Sequence, residues 1–229
     1  MTAFFSYFCL TSIEVMLNKM IEFDSTQIES IPKRERAHLI NNLCGLRSAN
    51  LIGTSDGSTD NLAVFNSVIH LGSNPPLLGM IFRPLTVERH TYNNIKEIKY
   101  FSINQITETM SANAHHTSAK FEDQQSEFEY CNIESLHREG CIVPFVKESN
   151  IQLLCAYSRE HILENDCILL TATIERFWVN SDSIDGAHWL NHEKAMSAAI
   201  GGLDAYYKVS LIDRYSYAQP DRTPKSILE

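Results

Sequence analysis

The stretch Leu51–Asn94, LIGTSDGSTDNLAVFNSVIHLGSNPPLLGMIFRPLTVERHTYNN, decides the expected fold of this 229-residue chain. Asp56-Gly57 is a turn dipeptide within the polar loop Ser55–Asp60, which predicts a β-hairpin. Pro75-Pro76 ends one strand and begins another, because proline lacks the N–H group that a strand ladder needs. The strands predicted around these turns are Leu46–Thr54, Asn61–Leu71 and Leu77–Phe82.

Short strands dominate the rest of the chain as well. Tyr100–Gln105 alternates apolar and polar residues, and the strands predicted at Ile151–Arg159 and Cys167–Val179 are long and partly β-branched or aromatic. The predicted helices are few: a short one that reaches Lys99 and another in Thr107–Lys120. Since they do not alternate with the strands, the pattern predicts a mainly β barrel or sandwich and not a doubly wound parallel sheet.

Composition and charge limit the possible partners. The hydrophobic fraction of 44% is enough for one real core, and the net charge of −9 without a basic run argues against nucleic-acid binding. The apolar part of the first twenty residues is short for a membrane span and is bounded by Glu14 and Lys19. We therefore expect residues 1–24 to be an N-terminal extension, disordered or loosely docked, and residues 25–229 to form a single domain.

The cysteine pattern indicates a reducing compartment. The chain has six cysteines and no Cys-x-x-Cys pair, and several of the cysteines lie in apolar strand-like runs. A secretory signal would need a basic region before the first apolar stretch, and this sequence has none there. These features predict a cytoplasmic protein without a disulfide framework. The acidic segment Phe121–Glu139 is interpreted as an irregular surface segment.

A polar cluster follows the third predicted strand. Arg83, Arg89, His90 and Thr91 lie close together where a helix is expected to begin. A guanidinium fork, a hydroxyl group and the free N–H groups of a helix start are the donors that hold a phosphate monoester. The cluster therefore predicts a phosphate site, and the alternative is an ordinary solvated helix start.

The middle strand has the features of a surface for a flat ring. Ala63 and Val64 are small neighbours, while Asn66 and Ser67 carry polar side chains beside the main-chain donors and acceptors. A heterocycle could stack there and receive hydrogen bonds along its polar edge. The chain has no Gly-x-Gly-x-x-Gly or Walker loop, so a nicotinamide dinucleotide would have no Rossmann cradle.

A metal site is not predicted. His188 and His192 are four residues apart and would share one face of a helix. However, a third ligand is not evident, and Gly186 and Trp189 favour a turn at this place.

Taken together, the chain resembles the flavin reductase-like family of FMN-binding split-barrel proteins between about Ile40 and Pro220. The resemblance depends on the order of its segments and not on any single motif. The segments are GTSDGSTDNLAVFNS, PPLLGMIFRP, ERHTYNNI, YFSIN, AHHTSAKFEDQQSEFEYCNI, PFVKES and GLDAYYKVSLIDRYSYAQP. It implies a six-stranded antiparallel Greek-key split β-barrel with a few short helices, built as a homodimer that holds FMN noncovalently at or near the dimer interface.

The resemblance also implies which residues would contact the flavin. The strand facing the isoalloxazine ring would contribute Asn61, Ala63, Val64, Phe65, Asn66 and Ser67. The ribityl chain and phosphate would lie against Arg83, Pro84, Arg89, His90, Thr91 and Asn94. A segment that closes over the flavin, on the same or the partner subunit, would contain His116, Thr117, Ser118 and Lys120, and His116 is the best candidate for a group near the substrate.

The sequence departs from the family pattern at one point. Many relatives have Pro-Phe-Ser or Ser-Phe-Ser where this chain has Val64-Phe65-Asn66-Ser67, so an amide replaces a hydroxyl near the expected ring. The resemblance implies an oxidoreductase in which NADH or NADPH reduces flavin, or a small acceptor through bound FMN. The alternatives are a non-catalytic flavin-binding or sensing protein and a structural β-barrel dimer without a ligand.

Overall fold

The protein is described here by a computed structural model that covers residues 20–122 and 124–228. Most of the predicted N-terminal extension therefore lies outside the described residues. Two helices come before the sheet, α1 (Ser25–Ser30) and α2 (Lys33–Leu43). A capping box begins α1, because the Asp24 carboxylate accepts from Gln27 N at 2.8 Å while the Gln27 side chain accepts from Asp24 N at 2.9 Å.

The described chain is mainly β, as predicted. Its strands are β1 (Arg47–Ser48), β2 (Asn50–Ser55), β3 (Asp60–Phe65), β4 (Val68–Ser73), β5 (Pro76–Phe82), β6 (Tyr100–Gln105), β7 (Ser135–Leu136), β8 (Phe145–Val146), β9 (Ile151–Ile162), β10 (Ile168–Val179), β11 (Ala198–Gly201) and β12 (Ala205–Lys208). The remaining α-helices are α3 (His90–Ile98), α4 (Ser111–His116) and α5 (Glu127–Tyr130), with 3₁₀ turns at Glu108–Met110 and Ser181–Ser183. None of these described helices is long and apolar enough to cross a membrane.

The main sheet has seven strands in the order β3-β2-β6-β9-β10-β5-β4, and every neighbouring pair is antiparallel. Its edges, β3 and β4, are consecutive in the chain and are separated by only Asn66 and Ser67. Because two residues join the two edges, the sheet must curl until these edges come together. No ladder joins β3 to β4 in residues 20–122 and 124–228, so this curled sheet remains split there.

The prediction of one continuous strand over Asn61–Leu71 is therefore wrong. The strand stops pairing with β2 after Phe65 and begins pairing with β5 at Val68. Ser67 fixes the change of partner, since its Oγ donates to Ile81 O at 3.0 Å and Ile81 N donates to Ser67 O at 3.4 Å. This break explains why the main sheet has seven strands and not the expected six. The Greek-key connectivity stays a prediction.

Both faces of β2 and β3 are covered, which fixes their orientation. Leu51 and Leu62 pack into a cluster under α4, α5 and β11, while Ile52 belongs to the second cluster, inside the curled sheet. Adjacent residues of a strand point to opposite faces, so this division follows from the alternation along the chain. All six residues of β2 are consequently buried.

A small sheet, β1-β11-β12, lies beside the main one. Its β11–β12 turn contains Gly202, whose φ of +60° belongs to the left-handed region. A Cβ atom at this position would lie 2.4 Å from the Asn42 Nδ2 atom of α2, so a larger residue would require the Asn42 side chain to move. The helix predicted in Thr107–Lys120 is shorter than expected, because regular α-helix there ends at His116.

Candidate functional site

A buried polar network occupies the start of β3. The Asn61 Oδ1 atom accepts hydrogen bonds from Thr54 Oγ1 at 3.1 Å and from Thr91 Oγ1 at 3.0 Å, and Asn61 Nδ2 donates to Glu127 Oε2 at 2.7 Å. Asn94 extends this network by donating to Thr54 Oγ1 at 3.3 Å. All five side chains are buried. The predicted ligand residues Asn61, Thr91 and Asn94 therefore use their polar side-chain atoms in hydrogen bonds within this network.

Glu127 is the residue that sequence reasoning missed. It begins α5, is only 7% exposed, and also accepts a hydrogen bond from Leu62 N at 2.8 Å. Burial raises the pKa of this carboxyl, while the hydrogen bonds from Leu62 and Asn61 and the nearby His90 act in the opposite direction. The prediction that Phe121–Glu139 is an irregular surface segment is wrong here, because acidic composition does not reveal a partner 65 residues earlier in the chain.

One edge of β3 is not paired with another strand. The Leu62 N–H group points away from β2, since it donates to Glu127. In an antiparallel pair the main-chain groups alternate in direction, so the N–H and C=O groups of Val64 point to this same outer edge. Through Val64 the predicted ring-facing strand thus presents a donor and an acceptor at the split in the sheet. Phe65 faces the interior instead, with its ring 5.1 Å from that of Phe82 in an edge-on contact.

The two polar side chains at the end of β3 contact the protein's own backbone. Asn66 Nδ2 donates to Gly202 O at 2.5 Å, and Ser67 Oγ donates to the backbone of β5. Arg47 Nη2 also donates to Gly202 O, at 3.4 Å. The end of β3 is thus connected to β1 and to the β11–β12 turn, which lies 136 residues later in the chain.

The predicted phosphate cluster lies at the start of α3, where Arg89 is the N-cap residue. The helix start has no side-chain cap, and Arg89 Nε is buried without a hydrogen-bond partner among the described residues. Arg83 is exposed and Pro84 is half-buried just before it, while His90 is half-buried at the first helical position. A shallow pocket of about 300 Å³ is lined by Leu85, Thr86, Val87, Glu88, Arg89 and Asn93.

The third predicted group of ligand residues lies at the end of α4. His116, Ser118 and Lys120 are exposed, and the His116 ring lies 5.7 Å from that of Phe121. Thr117 is buried and its Oγ1 donates to the backbone of α4 at 2.8 Å. The part of these residues in covering a ligand stays a prediction.

The described residues also show where the histidines lie. His115, and not His116, faces inward, with its Nδ1 3.4 Å from the Tyr206 hydroxyl. His188 lies in an exposed turn with a φ of +60°, so it does not share a helical face with His192. Within residues 20–122 and 124–228, no group of three histidine, cysteine, aspartate or glutamate side chains could hold a metal ion.

The antiparallel sheet, curled so that its two edges come together without pairing among the described residues, has the form of a split barrel. Within the class of split-barrel proteins the chain belongs to the family of the flavin reductase like domain, whose model matches residues 47–198. No curated protein sequence matches the chain.

Solved structures support this assignment. A proposed flavin reductase with a split barrel domain from Shewanella frigidimarina NCIMB 400 is 35% identical, with 87% of this chain and 100% of that chain covered and a TM-score of 0.83. Nitrilotriacetate monooxygenase component B from Bacillus cereus is 22% identical over 85% of this chain and 98% of its own, with a TM-score of 0.74. The NADH:FAD oxidoreductase of Streptomyces globisporus C-1027 is 12% identical over 84% and 99%, with a TM-score of 0.63. The last two similarities concern the fold alone.

Proposed function

We propose that this protein binds FMN noncovalently along β3 and acts as an oxidoreductase that uses NADH or NADPH to reduce flavin, or a small acceptor through bound FMN. The observation that carries the proposal is the guanidinium of Arg89, whose Nε is buried without a partner among the described residues at an uncapped helix start. A phosphate monoester would supply the missing acceptor and would also receive the free N–H groups of α3.

The length of β3 is consistent with a ligand that spans both ends. Asn61 and Asn66 are five residues apart, and at the usual rise this is roughly 17 Å, comparable to an extended FMN molecule. The phosphate would lie near Arg89 and the ring near Val64, whose main-chain groups face the free edge. Thr91 and Asn94 would support the helix start through Asn61 and would not contact the phosphate themselves.

Bound flavin would supply the hydride chemistry, so the protein's task is to orient the ring and to limit access of water. No side-chain acid or base is needed to deliver a hydride to the flavin. Val64 would bond the polar edge of the ring, and His116 remains the candidate for a group near the substrate. A nicotinamide as the electron donor is what membership of the flavin reductase like family implies.

The proposal includes a homodimer in the cytoplasm, without a nucleic-acid or membrane partner. The free edge of β3 and the exposed segment around His116 and Lys120 support a second copy, because a flavin at a split edge needs a cover from another element. Both copies would then contribute to each site, as the family resemblance implies.

The test is a flavin titration followed by anaerobic reduction. We expect FMN fluorescence to be quenched on addition of protein and the bound flavin band to bleach when NADH or NADPH is added. Quenching without bleaching by either nicotinamide would leave a flavin-binding or sensing protein. The absence of quenching with both FMN and FAD would refute the proposal and leave a structural barrel.

A further inference from the structure

Three buried side-chain atoms lack a hydrogen-bond partner in the described part of the chain: Arg47 Nε, Arg89 Nε and Ser183 Oγ. The first two belong to guanidinium groups that lie at opposite ends of β3. Arg89 precedes α3, whose Thr91 is bonded to Asn61 at the start of the strand. Arg47 shares an acceptor with Asn66, which comes directly after the strand. Buried donors are normally satisfied, so two such atoms flanking one strand need an explanation.

The surroundings of Arg47 hold its guanidinium in place while leaving its charge unneutralised. Its Nη2 donates to Asn41 O at 2.9 Å and to Gly202 O at 3.4 Å, which are both neutral carbonyl groups. Within residues 20–122 and 124–228, Arg47 forms no ion pair. A half-buried guanidinium whose Nη2 alone is bonded in this part of the chain, to neutral carbonyl groups, has donors left for an additional acceptor.

The position of this charge is set by the β11–β12 turn. The Gly202 carbonyl in this turn receives hydrogen bonds from Asn66 and Arg47 together. The guanidinium and the Asn66 amide, which replaces the family's hydroxyl, are therefore bonded to the same carbonyl oxygen. Asn66 Nδ2 donates to this carbonyl, and Arg47 Nε is the buried side-chain donor without a partner at this end of β3 among the described residues.

We propose that Arg47 contacts the pyrimidine edge of the bound flavin and stabilises the negative charge that this edge carries in the reduced state. The inference rests on the proposed function and assigns the electrostatic role at the ring end to a residue before β2. A fixed cation interacts more strongly with an anionic ring than with a neutral one, and a partly buried site increases the difference. Arg47 would thus favour reduced over oxidised flavin, while Arg89 would bind the phosphate of both equally.

The experiment measures the affinity for oxidised and reduced FMN in the full-length protein. Oxidised FMN is titrated by fluorescence, and the reduction potential of bound FMN against a reference dye then gives the affinity for the reduced form. In Arg47→Gln we expect affinity for reduced FMN to fall at least tenfold more than affinity for oxidised FMN. For a two-electron couple this is a potential more negative by about 30 mV. Arg47→Lys, which keeps the charge, should retain most of the wild-type potential.

Arg34→Gln is the matched control, because Arg34 is exposed on α2 and its loss changes the net charge by the same amount. Its potential should equal that of the wild type. An unchanged ratio of the two affinities in Arg47→Gln would overturn the assignment while leaving the proposed function intact. If both Arg47 variants fail to fold, the wild-type protein is measured alone. The assignment requires that it bind reduced FMN more tightly than oxidised FMN, and equal or weaker binding of reduced FMN would overturn it. A wild type that binds no flavin would instead refute the proposed function.

Discussion

The two ends of β3 use polar residues in opposite ways. At its start, the Asn61 side chain bonds Thr54, Thr91 and Glu127, and each of these contacts lies within the protein. At its end, the chain breaks at Asn66 and Ser67, and the nearby Arg47 keeps a buried Nε without a partner among the described residues. The Asn61 network is thus closed, whereas Arg47 at the other end, like Arg89 beside the network, keeps an unused donor in the described part of the chain.

The difference separates residues that stabilise the fold from residues that can bind a ligand. A buried donor whose partner is internal gains nothing from a ligand, whereas a buried donor without a partner gains a full hydrogen bond. By this criterion Thr91 and Asn94 hold the start of α3, and Arg89 beside them is the residue that we propose to bind the phosphate. Substitutions at the closed network should therefore change stability, and substitutions at Arg89 should change ligand affinity.

The largest effect is expected for Glu127→Ala. It removes the acceptor of two buried donors, Leu62 N and Asn61 Nδ2, so the free energy of unfolding should fall by about 3 kcal/mol. Chemical denaturation measures this loss. Glu129→Ala is the control, because Glu129 is exposed on the same helix and its removal should change stability by less than about 0.5 kcal/mol.

The contribution of Glu127 should also depend on pH. Burial raises the pKa of this carboxyl in the folded state, so the folded protein binds its proton more strongly than the unfolded chain does. The stability difference between wild type and Glu127→Ala should therefore be greatest below the ordinary glutamate pKa and decrease as the pH rises through the raised value. Equal losses for Glu127→Ala and Glu129→Ala would show that the network is not a stabilising element.

The next effect is expected for Arg89→Ala, in ligand binding and not in folding. Loss of a charge-assisted hydrogen bond to phosphate should weaken FMN binding by about 1.5–3 kcal/mol, or roughly 10- to 150-fold in Kd. Fluorescence titration measures the affinity, and denaturation of the ligand-free protein should give nearly the wild-type midpoint. Arg34→Ala should leave both values unchanged. Wild-type FMN affinity in Arg89→Ala would place the phosphate elsewhere.

Much of the fold could be predicted from short-range patterns. The Asp56-Gly57 turn, the Pro75-Pro76 junction and the two long late strands predicted a mainly β protein, because turn chemistry and alternation act over a few residues. The break after Phe65 was not predictable in this way. Asn66 and Ser67 continue an acceptable strand pattern, and the change of partner depends on the bonds between Ser67 and Ile81 of β5, 14 residues apart, which alternation along one strand does not reveal.

The sequence predicted the segments of the candidate site, but it did not separate residues with a proposed ligand-binding role from residues that support the fold. Thr91 and Arg89 look equally suited to a phosphate in sequence, and only burial and partners separate them. Glu127 and Arg47 had no local signal, because their contacts join residues 65 and 155 positions apart. Long-range contacts of this kind follow from the packing of the whole sheet and not from the spacing of residues.

The smallest effect is expected for Asn66→Ser, which restores the hydroxyl of the family pattern. The change removes the hydrogen bond to Gly202 O, so the free energy of unfolding should fall by about 1 kcal/mol. FMN affinity should change by less than about threefold, since Asn66 Nδ2 is already bonded within the protein and the free edge of β3 is untouched. Denaturation and FMN titration of the same preparation measure both values. A tenfold loss of affinity with unchanged stability would mean that the Asn66 amide leaves Gly202 to bond the ring. The binding site at that end of β3 would then form only when the ligand binds.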